Sequence, residues 1–124
     1  MKVLLLNCNR FQAKKINNNH EELALDCLVV LVTFENGDNQ KNADKIIKEI
    51  SKNADLIGTK NIVIGPFAHL SNDLLDENES VVLLKYIELA LNSVFNILVS
   101  EFGAKKGLLL DIAAEKNNIK FRSY

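Results

Sequence analysis

At 124 residues, with 48% hydrophobic and 25% charged side chains, the chain has the size and composition of one globular domain, 1–124, able to bury a core without staples. A formal net charge of -1 argues against a broad nucleic-acid-binding surface, so any RNA contact must use a local basic patch. Cys8 and Cys27 lie in apolar runs without Cys-x-x-Cys spacing, which predicts buried free thiols and neither a disulfide nor a zinc site. No segment approaches the roughly 18 apolar residues of a membrane span. A soluble, cytoplasmic protein without metal or cofactor is expected.

Val3–Leu6 reads as a buried first strand. Asn7–Glu22 is polar and rich in asparagine, including Asn17-Asn18-Asn19, and reads as a loop. Leu25–Phe34 is a long run rich in β-branched residues, as a central strand requires, and Glu35-Asn36-Gly37-Asp38 supplies turn chemistry after it. From Asn42 the period changes. Ala43, Ile46, Ile47, Ile50, Ala54 and Ile57 recur at three- and four-residue steps, predicting a helix that Gly58 ends.

The most informative stretch follows at once. Asn61–Gly65 is an apolar run suited to a buried strand, and it stops at Pro66, the only proline, which cannot donate to a sheet ladder. The turn Phe67-Ala68-His69 then leaves its backbone N–H groups free for something other than a strand partner. A buried strand ending in an open turn with one histidine suits a small-molecule site. Taken alone, His69 serves equally well to cap the next segment or to satisfy a core hydrogen bond.

Ser71–Glu79 is acidic and polar, with Asn78 or Ser80 as N-cap of a second helix. Its apolar stripe is Val82, Leu83, Tyr86, Ile87, Ala90, Leu91, Val94, Phe95 and Leu98, with Gly103 as the stop. Gly107–Ile112 and Asn118–Tyr124 read as two closing strands, a hairpin about Lys116-Asn117-Asn118. The expected fold class is α/β in the order β-β-α-β-α-β-β, with two helices packed on the sheet.

With these elements in place, the chain resembles the N-terminal editing domain of archaeal threonyl-tRNA synthetases, whose fold is that of D-aminoacyl-tRNA deacylases. The resemblance is clearest from Ile47 to Leu74, through Ile-Lys-Glu-Ile-Ser and Asn-Ile-Val-Ile-Gly-Pro-Phe-Ala-His-Leu-Ser. It extends to the strands at Met1–Leu6 and Leu28–Glu35 and to Phe102-Gly103 followed by Lys106. The resemblance implies an aminoacyl-tRNA deacylase that removes serine wrongly attached to threonine tRNA. A pocket gains only about 1–3 kcal/mol from the single carbon that separates the two amino acids, so a second sieve is needed. On this resemblance Phe34, Ala68 and His69 form the small pocket, Pro66 and Phe67 fix the turn, and Lys106 faces the ester as an electrostatic stabiliser. Glu115 matches the family's late carboxylate across a gap. The attacking water would be assisted by main-chain groups and the RNA 2′-hydroxyl. The implied partners are the tRNA 3′ end carrying serine, a synthetase catalytic subunit and, since relatives of the fold dimerise, a second copy of the chain.

The sequence also departs from the family. Ala104-Lys105 replaces two aromatics before the lysine, the Cys-Lys-Gly-His-Pro segment after the next strand is missing, and Asn7-Cys8-Asn9 stands where His-Ser-Asp is typical. Two alternatives therefore stay open. One is a non-catalytic tRNA- or synthetase-binding module of the same fold, and the other is a deacylase for D-aminoacyl-tRNA.

Overall fold

The computed structural model describes residues 1–15, 21–101 and 106–124. Its elements are β1 (Lys2–Lys15), β2 (Glu21–Thr33), α1 (Gln40–Ile57), β3 (Asn61–Pro66), a 3-10 turn (Ala68–Leu70), α2 (Glu77–Leu91), β4 (Asn96–Val99), β5 (Lys106–Ile112) and β6 (Ile119–Ser123). The Asn17-Asn18-Asn19 run, His20, the Phe102-Gly103 pair with its expected helix stop, and Ala104-Lys105 lie outside the described residues.

The expected α/β plan of two helices on one sheet holds, with one strand more than the sequence suggested. Sheet order is β4-β3-β2-β1-β5, with β6 also on β1. β2, β3 and β4 run parallel, and β1 is antiparallel to β2. Parallel neighbours need crossover connections, and α1 and α2 provide them. Both helices pack on one face. Val3, Leu5, Val30, Val32, Ile62 and Ile64 of the sheet share a core with Ala43, Ile46 and Ile50 of α1 and with Leu84, Ile87 and Leu91 of α2.

Local chemistry sets the helix ends. Asn39 caps α1, its side chain accepting from Lys41 N while Asn42 reaches back to the Asn39 amide. Gly58 ends the helix at φ 73°, a left-handed conformation that favours glycine. α2 starts earlier than Asn78 or Ser80: Asp76 is the cap, accepting from Asn78 N and Glu79 N, and Glu77 and Glu79 fill the first turn, where the helix dipole favours anions.

Three further sequence expectations are corrected. The polar Asn7–Glu22 stretch is not a loop where it is described, because β1 runs on to Lys15 and β2 begins at Glu21. The apolar stripe does not continue as helix to Leu98. α2 ends at Leu91, Val82 is 67% exposed, and Asn96–Val99 pairs in parallel with β3. Val94 and Phe95, in the connection, and Leu98, in the strand, happen to extend the helical spacing, an ambiguity that periodicity alone cannot resolve. The two closing strands do not form a hairpin. β5 pairs with Cys8–Lys15 and β6 with Lys2–Leu6, so they lie end to end along β1.

The length of β1 and β2 is explained by what they cover. Leu6 and Cys8 of β1 face the second side of the sheet, and so do Phe11 and Ala13. Residues three apart on a flat strand face opposite ways. The side-chain alternation therefore switches near Asn9, where the register with β5 also shifts. β2 switches at the same level. Cys27 and Ala24 share that second face, and Asp26 between them has φ 46°. Beyond this switch the two strands have no β3 partner. They fold over the second face, packing Phe11 and Ala13, each 1% exposed, with Val29, Leu31 and Val63.

A polar network anchors the other end of β2. The Ser71 hydroxyl donates to Glu35 Oε2 at 2.6 Å, and the Met1 ammonium donates to Glu35 Oε1 at 2.9 Å and to Asp38 Oδ1 at 2.8 Å. The Ser71 bond, followed by the Met1 and Lys2 ammonium groups, lowers the Glu35 carboxyl to about 2.

Two outcomes follow from this architecture. Phe11→Ala is expected to cost about 3–5 kcal/mol in urea denaturation, as for a large buried aromatic, whereas a loop residue at this position would cost almost nothing. Because the folded carboxyl of Glu35 titrates near 2 against an ordinary value of 4.5, its contribution to stability is complete above about pH 4.5 and is lost as pH falls towards 2. Glu35→Gln should therefore lower the melting temperature at neutral pH and flatten its decline across that window. Circular dichroism melts as a function of pH measure both effects.

Candidate functional site

β3 ends as its sequence requires. Val32 pairs with Pro66, and the next amide, Phe67 N, donates to Val32 O at 2.8 Å before the chain leaves the sheet. The Thr33 hydroxyl donates to the Phe67 carbonyl, fixing that peptide from the other side. Ala68–Leu70 forms a single 3-10 turn whose N-terminal residue, Phe67, provides no side-chain cap. Ala68 and His69 are exposed, and the His69 ring meets Phe67 edge to face at 4.7 Å between centroids. Ser71, held by Glu35, closes the segment.

Lys106, at the start of β5, reaches the same end of the sheet. Its ammonium donates to the Ser100 hydroxyl and to the Glu101 carbonyl, the latter at 2.7 Å, and lies 3.8 Å from Glu22 Oε1. Ser100 N donates to Ile64 O at 2.9 Å, which places Ser100 beside the last turns of β3. The Ser100 hydroxyl donates to Glu22 Oε1 at 3.0 Å. Glu22 stands at the start of β2, so this contact closes the folded-over part of β1 and β2 onto the end of β4. Burial pushes the Lys106 ammonium below the usual lysine range; Glu22 opposes the fall and Lys15 adds to it. Lys15 itself pairs with the Glu101 carboxylate.

The expected site residues thus divide. Pro66, Phe67, Ala68 and His69 stand at the carboxyl end of β3, and the Lys106 ammonium is tied to Ser100 and Glu101 just past the end of β4. Phe34 is 4% exposed and packs in the core on the helix side of the sheet, whereas Phe67 packs against the second face. Glu115 is exposed, its carboxylate accepting from Asn7 Nδ2 at 3.4 Å on β1, two strands from β3. Arg10 and Lys14 are exposed on β1, and Arg10 donates to Gln12 at 3.1 Å.

Sequence reasoning missed Ser100 and Glu22. Glu22 fell in the stretch read as loop, yet it alternates with Ala24 on one face of a strand and is 8% exposed. Ser100 is a small polar residue directly after the Ile97-Leu98-Val99 run, a position that becomes informative once that run is recognised as a strand.

Cys8 and Cys27 are free, buried and directly opposite one another across β1 and β2. Burial raises the Cys8 thiol to about 11, with Asp111 adding to it, and raises Cys27 to about 12, with Cys8 and Asp26 adding. Thiols held this far into the protonated form are poor nucleophiles. Among the described residues, no group of three or more His, Cys, Asp or Glu side chains is placed to hold a metal ion, and no helix is long and apolar enough to cross a membrane.

The Archaea-specific editing domain of threonyl-tRNA synthetase matches residues 1–115. The threonine–tRNA ligase of Staphylothermus marinus is 30% identical over 124 residues, covering 90% of this chain and 20% of that protein. The ligase of Methanococcus vannielii is 35% identical over 117 residues, covering 83% of this chain and 18% of that protein. The chain therefore spans about a fifth of the length of these curated relatives. Among solved structures, the c-Myc DNA unwinding element binding protein is similar with a TM-score of 0.78 at 10% identity, over 100% of this chain and 99% of that one. A probable eukaryotic D-amino acid tRNA deacylase is similar with a TM-score of 0.57 at 10% identity, over 98% and 96% of the two chains. At such identities the likeness is one of fold, and the fold is deacylase-like. Since the family pattern runs through the β3 turn and Lys106 and takes in 115 of the 124 residues, the chain belongs to the archaea-specific editing-domain family of threonyl-tRNA synthetases.

Proposed function

We propose that this domain hydrolyses the ester joining serine to threonine tRNA, an aminoacyl-tRNA deacylase that proofreads threonyl-tRNA synthesis. One observation carries the proposal. The Lys106 ammonium is tied to Ser100 and Glu101, and Ser100 is tied to Ile64, so a cation stands at the strand end from which Pro66–His69 leaves the sheet. Ala68 and His69 would bound the amino-acid pocket, with Pro66 and Phe67 holding the turn and Phe34 supporting it from the helix side. Main-chain N–H groups of a turn bound on both sides by fixed contacts suit a pocket that must exclude one methyl group, because such a wall cannot rotate away. That difference of about 1–3 kcal/mol is gained or lost by fractions of an ångström.

In the proposed reaction, water attacks the ester carbonyl, and negative charge grows on its oxygen. Lys106 faces that charge as an ammonium, in a partly dehydrated place where the interaction is stronger than in water. The tRNA 2′-hydroxyl assists the attacking water, and Glu115, held against Asn7 two strands from β3, takes no part in the step. No cofactor or metal enters this scheme. The tRNA body and a synthetase catalytic subunit are the proposed partners, and a second copy of the chain is a further one. Ile119 and Phe121, 54% and 50% exposed, flank Leu6 and Leu4 of β1 and would contribute apolar area to such a dimer.

One observation favours a second reading, a non-catalytic binding module of the same fold. Protein acceptors already engage the Lys106 ammonium, leaving it less free to meet a substrate. A D-aminoacyl-tRNA deacylase is the third possibility.

Incubation with seryl-, threonyl- and D-aminoacyl-tRNA separates the three readings. The proposal expects loss of the serine charge alone; cleavage of none, or of the D-aminoacyl substrate, overturns it. Lys106→Ala should slow cleavage on the order of 10²-fold, as removal of one oxyanion donor does elsewhere, and a terminal 2′-deoxyadenosine should slow it more. Light scattering after size exclusion should give twice the mass of the chain at micromolar concentration; the mass of one chain removes the dimer.

A further inference from the structure

We infer that Glu22 and Ser100 form a positioning pair that keeps the Lys106 ammonium charged and aimed at the carboxyl ends of β3 and β4. The link to catalysis rests on the proposed function, whereas the pairing itself stands on geometry. Ser100 and Lys106, six residues apart, meet Glu22 from a distant part of the sequence out of water. Glu22 is 8% exposed, Ser100 is 1% exposed and the Lys106 side chain is 10% exposed. Dehydrating an ion costs several kcal/mol unless its partners are well placed, so this meeting is not an accident of packing.

The hydrogen bonds have one consistent direction. A hydroxyl has a single proton, and Ser100 gives it to Glu22, whose ionised carboxylate can only accept. Ser100 is then left with lone pairs for the Lys106 ammonium, which can only donate. A donor-to-acceptor chain therefore runs from ammonium through hydroxyl to carboxylate, and the direct gap of 3.8 Å between the ions is bridged by a third group. The same direction argues against Ser100 as a nucleophile. A serine–lysine mechanism needs a neutral amine to take the hydroxyl proton and an oxygen open to substrate, and this oxygen belongs to a residue that is 1% exposed.

The charges around Lys106 come from every neighbouring strand. Glu22 lies on β2, Lys15 on β1 and Glu101 after β4, the last spending its carboxylate on Lys15. Burial and Lys15 both push Lys106 towards the neutral amine, and Glu22 opposes them. Removing the Glu22 charge leaves the lowering influences unopposed. Removing the Ser100 hydroxyl leaves the Glu101 carbonyl and a distant carboxylate, so the ammonium loses direction more than charge.

The test is the titration of Lys106, followed by the ¹³Cε shift of labelled lysine in the whole domain and assigned with Lys106→Arg, alongside seryl-tRNA hydrolysis against pH. Glu22→Gln should lower the Lys106 midpoint by about one unit or more, the size of effect an opposite charge at this range exerts. The alkaline limb of hydrolysis should move down by the same amount, and kcat should fall with little change in KM. Glu22→Asp, which retains the charge, should restore most of the midpoint, and Ser100→Ala should reduce kcat with a smaller shift. A Lys106 midpoint unmoved in Glu22→Gln overturns the inference. Should that variant not fold, the wild-type protein decides: the Glu22 ¹³C carboxyl shift must step where Lys106 loses its proton, and a flat trace there overturns it equally. The lysine titration needs no turnover, so full activity of Lys106→Ala would remove the catalytic role of the lysine without touching the pairing.

Discussion

The structure depends on one local event, the simultaneous change of facing in β1 and β2 near Asn9 and Asp26. Both helices are committed to one side of the sheet, so Val29, Leu31 and Val63 on the other side need a cover. The chain covers them with its own strands. Once the alternation switches, Phe11 and Ala13 turn inward and the polar Arg10, Gln12 and Lys14 turn out. Without the switch the period of two would send those polar groups into the apolar face. Phe11 alone contributes about 1.5–3 kcal/mol by leaving water. The switch has a chemical consequence as well as a packing one. Only because the start of β2 bends back over the sheet can Glu22 reach Ser100, at the end of a strand two places away in sheet order.

Two differently built features therefore stand at the carboxyl ends of neighbouring parallel strands, β3 and β4. One is backbone, the Pro66–His69 turn, locked by Thr33, Val32 and the Ser71–Glu35 bond. The other is a side-chain cation, buried to most of its length and held by Ser100 and Glu101. A rigid backbone wall measures size, and a held cation stabilises charge. The proposed hydrolysis calls for both functions near one ester, and β3 and β4 run parallel as neighbours with these two features just past their ends.

How much of this was legible in sequence follows from the range of the interactions. The helix α1 could be read because its period and its glycine stop are both local, although its Asn39 cap went unread. β3 and its proline stop were equally local. β1 beyond Leu6 was not, since Asn9-Arg10-Phe11-Gln12 lacks simple alternation for the reason that makes it important, the change of facing partway along. β4 was hidden because Phe95 and Leu98 continue the spacing of α2, and only pairing with β3 distinguishes strand from helix there. The end-to-end placement of β5 and β6 along β1 depends on the length of β1, so one missed extension produced the false hairpin. Lys106 could be named from a motif, but its partners could not. Glu22 is 84 positions away in the chain, and nothing local marks a carboxylate that will be buried.

Burial also decides what kind of explanation the Lys106 cluster needs. If stability alone had shaped this corner, apolar side chains of similar volume would serve as well or better, since a buried ion pair often contributes nothing net relative to them. The surroundings make that replacement easy to imagine, because Ala13, Ala24, Leu98 and Leu110 already line the same face. An ammonium, a hydroxyl and a carboxylate in such company break the local rule of an apolar interior, and departures of this kind are concentrated where proteins do chemistry. A cluster retained for chemistry must also hold its charge near neutral pH, and burial works against that for lysine. Glu22 supplies the opposing field, so the carboxylate that looks structural favours the ammonium form of a dehydrated lysine.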